Sequence, residues 1–138
     1  AVGGERSILT ESRFPNVMRG LLASIQTPRF LIMATDPIDP NPDDGLIVTS
    51  FVFRVRNVPA ALFKALGGFA TNGVNMTKLE SYMVRGQFVA TQFYADIEGH
   101  PDDTSVRLAL EELGFFSREV TILGVYPASP FRVQMRAD

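Results

Sequence analysis

The sequence predicts an α+β fold. It is a ferredoxin-like βαββαβ sandwich, a four-stranded antiparallel sheet with two helices on one face, preceded by a short helix/strand segment and a linker. Three observations lead there. After residue 45, alternating apolar runs and helical stripes follow in the order strand, helix, strand, strand, helix, strand. Arg85-Gly86-Gln87 is short enough to fold the second and third runs into an antiparallel hairpin. Right-handed crossovers on either side of that hairpin put both helices on the same sheet face.

Taken in order, residues 1–14 have no clear period and are expected to be loose. Met18, Leu21, Leu22 and Ile25 recur at helical spacing, and Pro28 ends that helix by pushing the preceding residue out of the helical region. Phe30-Leu31-Ile32-Met33-Ala34 reads as a short strand. Residues 36–45 hold three prolines and four acids, too polar and too stiff for a core, and form a linker. The expected division is a segment over 1–35, the linker over 36–45, the sandwich over 46–130 and an irregular tail over 131–138.

Within the sandwich, Leu46 to Arg56 is the first strand. Thr49, Phe51, Phe53 and Val55 share one face, and Ser50, Val52, Arg54 and Arg56 the other. Apolar residues on both faces imply that a second copy or another domain covers the face without helices. Pro59 suits the first turn of a helix, where its missing N–H costs nothing. Leu62, Leu66 and Phe69 are the buried stripe of that helix, and Asn72-Gly73 its end, where glycine supplies a positive φ. Val74 to Val84 and Phe88 to Ile97 are the hairpin strands. Asp102 or Asp103 caps the second helix, Val106, Ala109, Leu110 and Leu113 are its buried face, and Gly114 ends it. Val120 to Tyr126 is the last strand, stopped by Pro127.

Composition excludes several functions. Among 138 residues, 46% are hydrophobic and 20% charged, with a net charge of −2, so no basic face recruits nucleic acid. No apolar run reaches the roughly 18–20 residues of a membrane span. The first residues lack the basic-then-apolar order of a secretory signal, and a cytoplasmic location is expected. With no cysteine and one histidine, thiol catalysis, disulfides and a His-rich metal site are ruled out within the chain. Ser7, Ser12 and Ser24 have no nearby histidine. Asp43-Asp44 and Asp102-Asp103 fall in a linker and a helix cap, so neither is a positioned acid/base pair. The catalytic residues expected are none.

The remaining chemistry gathers in Gly73-Val74-Asn75-Met76-Thr77-Lys78-Leu79-Glu80-Ser81. A helix hands over to a strand there, and Asn75 can both donate and accept at the corner. Taken singly these residues are ordinary: Asn75 a turn residue, Leu62 and Met76 core, Glu80 and Ser81 surface.

Val58-Pro59-Ala60-Ala61-Leu62-Phe63, the corner from Gly73 to Ser81, Tyr94-Ala95-Asp96-Ile97-Glu98-Gly99-His100 and Leu123-Gly124-Val125-Tyr126-Pro127 together resemble the ACT regulatory domain of prephenate dehydratase. The resemblance runs from about Thr49 to about Pro130, with its motifs in order. The family's enzyme converts prephenate to phenylpyruvate, and its ACT domain binds L-phenylalanine at a dimer interface as a feedback inhibitor. The resemblance implies a ligand site at Ala60, Ala61, Leu62, Asn75, Met76, Thr77, Glu80 and Ser81. It also implies a homodimer or higher oligomer, a dehydratase catalytic domain in cis or trans, and no cofactor or metal. The family's Gly-Ala-Leu is here Ala60-Ala61-Leu62, and its Glu-Ser-Arg-Pro is Glu80-Ser81-Tyr82-Met83. Its catalytic Thr-Arg-Phe is Pro28-Arg29-Phe30, with proline where the threonine stands.

An amino-acid ligand needs an apolar pocket, acceptors for its ammonium and donors for its carboxylate. The helix starting near Pro59 offers free N–H groups at Ala60, Ala61 and Leu62 and a dipole that favours an anion. Asn75 accepts from the ammonium, and Leu62, Met76 and Phe69 line the ring pocket. Burying an aromatic side chain contributes about 1.5–3 kcal/mol, whereas micromolar affinity requires about 8 kcal/mol. The polar ends therefore carry the balance. Two alternatives stand beside this reading: a shortened dehydratase that still turns over prephenate, and an ACT dimerisation module that has lost its ligand.

Overall fold

The computed structural model describes residues 10–12, 30–56, 58–84 and 90–136. Its elements are strands β1 (Thr10–Ser12), β2 (Phe30–Ile32) and β3 (Ile47–Val55), helix α1 (Ala61–Thr71), strands β4 (Met76–Met83) and β5 (Ala90–Glu98), helix α2 (Thr104–Phe116), strand β6 (Ser117–Pro127) and helix α3 (Pro130–Arg136). Strands β4-β5-β3-β6 form a four-stranded sheet in that order, and every pairing is antiparallel. This is the ferredoxin-like sandwich.

The core lies between the sheet and α1 with α2. Phe51, Phe53 and Val55 of β3 and Phe93, Ala95 and Ile97 of β5 alternate onto the helix side. They meet Ala61, Ala65 and Phe69 of α1 and Val106, Ala109 and Leu113 of α2. Four phenylalanines make its spine. Phe51 lies 5.8 Å from Phe53 and 5.8 Å from Phe69 between ring centroids, and Phe53 stacks 5.3 Å from Phe93. The helices approach closely at Gly68, where an added Cβ would come 2.7 Å from the Cβ of Glu112. A small residue is required there.

Several local expectations are corrected. Helix α1 begins at Ala61 with Ala60 as its N-cap, so Pro59 lies before the helix and not in its first turn. Asp103 is the N-cap of α2, but its carboxylate accepts the His100 backbone N–H at 2.8 Å and caps no helical N–H. Gly114 does not end α2. The helix runs through Phe116 and passes at Ser117 straight into β6. Residues 10–12 are a strand paired antiparallel with Phe30–Ile32, and the tail contains α3. Glycine behaves as expected at Gly73, which has φ 67. The helix expected around Met18–Ile25 and the turn at Arg85-Gly86-Gln87 lie outside the described residues.

The sheet face turned away from α1 and α2 mixes apolar and polar groups: Val48 and Tyr126 are buried on it, with Leu123 and Ala128 packed against them. Ser50, Asp96 and Tyr126 are fully buried on it. The Ser50 hydroxyl donates to Asp96 Oδ1. With its single proton used there, Ser50 Oγ accepts from Tyr126 at 2.8 Å and from Tyr94 at 3.2 Å. Burial without partners would be costly, and the network supplies partners for Ser50 Oγ, Asp96 Oδ1 and the two tyrosine hydroxyls. No helix among the described residues is long and apolar enough to cross a membrane.

Candidate functional site

Strand direction decides which expected site residues meet. Residues Ile47, Met76, Ile97 and Pro127 lie at one end of the sheet, and Val55, Met83, Ala90 and Ser117 at the other. Helix α1 runs between these ends over 11 residues, a rise of about 16 Å. Asn75, Met76 and Thr77 therefore sit at the Ile47 end, and Ala60, Ala61 and Leu62 at the Val55 end. One chain does not bring them together. Glu80 and Ser81 lie between, and adjacent strand residues point to opposite faces. Ser81 is opposite Phe93 on the helix side, and Glu80 is opposite Tyr94 on the side away from the helices.

At the Ile47 end, the exposed Asn75 donates its side-chain amide N–H to Glu98 Oε2 at 2.8 Å, and its backbone carbonyl accepts the Glu98 backbone N–H at 2.9 Å. Thr77 is the residue skipped where the register shifts between Met76 and Lys78. Its hydroxyl donates to the Asp96 carbonyl at 3.4 Å and accepts from Arg132 of α3 at 3.4 Å. Met76 is half-buried against the core. The corner thus presents the Asn75 amide beside the Glu98 carboxylate. These acceptors suit an ammonium group. Glu98 was not among the expected site residues. Its run, Ile97-Glu98-Gly99, was visible, but only the strand register sets it against Asn75.

At the Val55 end, Ala60 has φ 57 and is the only non-glycine with positive φ among the described residues. The family's glycine at this position answers to that conformation. The expectation of free N–H groups at Ala60, Ala61 and Leu62 is corrected in part. The Ala61 N–H donates to the Val58 carbonyl at 3.1 Å, and the helix's first bond runs from Lys64 to Ala60 at 3.0 Å. The N–H groups of Leu62 and Phe63 precede that bond and are the ones aimed out of the helix end. Ala61 is buried in the core, Leu62 is half-buried and Phe63 is 81% exposed.

Midway along β4, Glu80 is held by Lys78 at 3.0 Å and by the Tyr82 hydroxyl at 2.5 Å. Lys78 Nζ lies 5.3 Å from the centre of the Tyr94 ring. Burial pushes the Tyr94 hydroxyl well above its usual 10.0; the bond to Ser50 works the other way, and Asp96 adds to the rise. No cluster of three or more metal-ligating side chains occurs among the described residues.

The βαββαβ order and the antiparallel β4-β5-β3-β6 sheet define a ferredoxin-like α+β module. The comparisons place it in a family. No family model matches the chain. A bifunctional N-acyl-homoserine lactone acylase/prephenate dehydratase of Komagataeibacter europaeus is 56% identical over 110 residues, 80% of this chain and 39% of that protein. A bifunctional chorismate mutase/prephenate dehydratase of Aquifex aeolicus is 37% identical over 99 residues, 72% of this chain and 26% of that protein. The solved prephenate dehydratase of Arthrobacter aurescens in complex with L-Phe matches with a TM-score of 0.63 and 26% identity, over 79% of this chain and 40% of that one. The chain belongs to the prephenate dehydratase family, in which it corresponds to the C-terminal ACT part. It spans less than half the length of these relatives.

Proposed function

We infer that the chain is a regulatory module that binds L-phenylalanine across a dimer and feeds inhibition back onto a dehydratase catalytic domain, in cis or in trans, in the cytoplasm. The observation that carries this reading is the likeness, over 79% of the chain, to a prephenate dehydratase solved with L-Phe. The separation of the two half-sites agrees with it. Acceptors for an ammonium stand at Asn75 and Glu98, and donors for a carboxylate stand at the α1 start, about one helix length away. A two-fold partner laid alongside in the opposite direction brings one chain's α1 start to the other's Asn75. Strand β4, an edge of the sheet with Leu79, Tyr82 and Met83 exposed, is suited to that contact. A coupling of about 1–3 kcal/mol to the catalytic domain is enough for inhibition.

Calorimetric titration of the purified chain with L-phenylalanine, L-tyrosine and glycine, alongside sedimentation, tests the reading. Saturable micromolar binding to a dimer, selective for L-phenylalanine, is expected. A monomer that binds L-phenylalanine defeats the shared site; a folded dimer that binds none defeats the ligand.

A second reading rests on the 56% identity to the bifunctional acylase/dehydratase. In it the same module serves a protein that also cleaves N-acyl-homoserine lactones. Incubation of the chain with an N-acyl-homoserine lactone, and separately with prephenate, measures what it does alone. Release of homoserine lactone supports the acylase reading; formation of phenylpyruvate supports a shortened dehydratase.

A further inference from the structure

We propose that the sheet face turned away from α1 and α2 carries a second small-molecule site, at Arg54, Gln92 and Glu119, that takes a compact zwitterion: an α-amino acid of glycine or alanine size. The three residues form one cross-strand row, with Arg54 of β3 opposite Gln92 of β5 on one side and Glu119 of β6 on the other. They line a hollow of about 80 Å³ together with Val52 and Phe53.

The row has complementary charges that do not neutralise each other. Arg54 Nε is buried and has no hydrogen-bond partner. The guanidinium's one bond is a long one, from Nη2 to Gln92 Oε1 at 3.5 Å. A guanidinium has five donors and matches a carboxylate with two parallel bonds. Glu119, directly across the pair, is exposed and makes no ion pair with it. A carboxylate on Arg54 and an ammonium on Glu119 would satisfy both, and Gln92 can accept a further N–H. The register shift between Arg54 and Val55 leaves Arg118 as the extra residue of a bulge. Bulges of this kind re-aim side chains and interrupt the ladder, which opens the hollow.

Size sets the ligand class. A cavity of about 150 Å³ binds benzene, and this hollow, at about 80 Å³, has roughly half that volume. A glycine or alanine is small enough for it; a phenyl ring is not. The site is thus distinct from the L-phenylalanine site proposed above, and its existence does not depend on that reading.

Two-dimensional amide NMR of the labelled chain tests it, with glycine, L-alanine, acetate, methylammonium and L-phenylalanine as probes. Glycine is expected to shift the amides of Val52, Arg54, Gln92 and Glu119 saturably, with a dissociation constant on the order of 1 mM for so few atoms. Acetate is expected to bind at least about tenfold more weakly, and L-phenylalanine to leave these four amides in place while shifting those near Asn75. Arg54→Gln should abolish the glycine shifts. Glu119→Gln, at an exposed position that leaves the fold intact, should weaken glycine about tenfold and leave acetate unchanged. Absence of saturable shifts at these residues, equal binding of glycine and acetate, or a Glu119→Gln variant that binds glycine normally each overturns the proposal.

Discussion

The side-chain amide of Asn75 donates to Glu98 Oε2 at 2.8 Å, and the same two residues share a backbone bond at 2.9 Å. This double tie fixes Asn75 with its amide carbonyl free to face a ligand. A hydrogen bond to a charged group contributes about 1.5–3 kcal/mol. Asn75→Ala is therefore expected to weaken L-phenylalanine about tenfold to a hundredfold in calorimetry. Because Asn75 is exposed, the unfolding midpoint should barely move. Unchanged affinity would remove Asn75 from the site.

Glu98→Gln separates charge from shape at the same corner. The amide keeps one acceptor for Asn75 but removes the carboxylate. If the ammonium rests near Glu98, affinity for L-phenylalanine falls about tenfold, while 3-phenylpropionate, which lacks the ammonium, is insensitive to the change. Equal losses for both compounds would mean that Glu98 acts only by holding Asn75.

Ala60 carries the left-handed conformation that the helix start requires. That conformation costs an L-residue roughly 1–2 kcal/mol. Glycine removes the cost but loses about 0.5–1 kcal/mol in chain entropy. Ala60→Gly is thus expected to stabilise the fold by about 0.5–1 kcal/mol, read as a higher urea midpoint at unchanged slope.

Gly67 and Gly68 are adjacent in α1 and should respond oppositely to alanine. A Cβ at Gly68 collides with Glu112 Oε2 and comes 2.7 Å from its Cβ, whereas a Cβ at Gly67 meets nothing within 4 Å. The Oε2 atom can swing away, but the Glu112 Cβ is fixed to the α2 backbone. Gly68→Ala should destabilise by about 1–3 kcal/mol. Gly67→Ala should stabilise by up to about 1 kcal/mol through helix propensity. Two equal shifts in denaturation midpoint would show that α1 and α2 are not in such close contact.

Tyr94 gives the fold an alkaline limit. Its hydroxyl is pushed above 10.0 in the folded chain, chiefly by burial. The unfolded chain therefore loses this proton first as pH rises. The contribution is complete below about pH 10 and is lost progressively above it. Tyr94→Phe should flatten the fall in stability between about pH 10 and 11.5 relative to the parent. An identical alkaline slope would count against the buried environment of the hydroxyl.

The sequence by itself determined the sandwich. Period-two runs at Thr49–Val55 and period-3.6 stripes at Leu62–Phe69 and Val106–Leu113 are local signals, and the hydrophobic effect rewards burying each on one side. Gly73 announced the end of α1 for a similar local reason, its freedom of φ. Local signals failed where neighbours in space decide. Gly114 looked like a stop, but α2 runs on to Phe116 and hands over directly to β6, where Ser117 pairs with Val55. The α3 turn in the tail had no apolar stripe long enough to read. Alternation placed Ser50 on the face without helices, and its partners Asp96, Tyr126 and Tyr94 became apparent only when strand pairing set them beside it.

The candidate site divides the same way. The identity of its residues was legible: Asn75 at the corner, and Ala60 to Leu62 at the helix start. Their distance apart was not, because it depends on the direction in which α1 crosses the sheet. Only the tertiary structure sets Glu98 against Asn75, leaves Arg54 facing Glu119 across an open row, and separates the two half-sites by the length of a helix. Hydrogen-bond register and strand direction are relations between distant segments, and a residue's own neighbours in sequence carry no record of them.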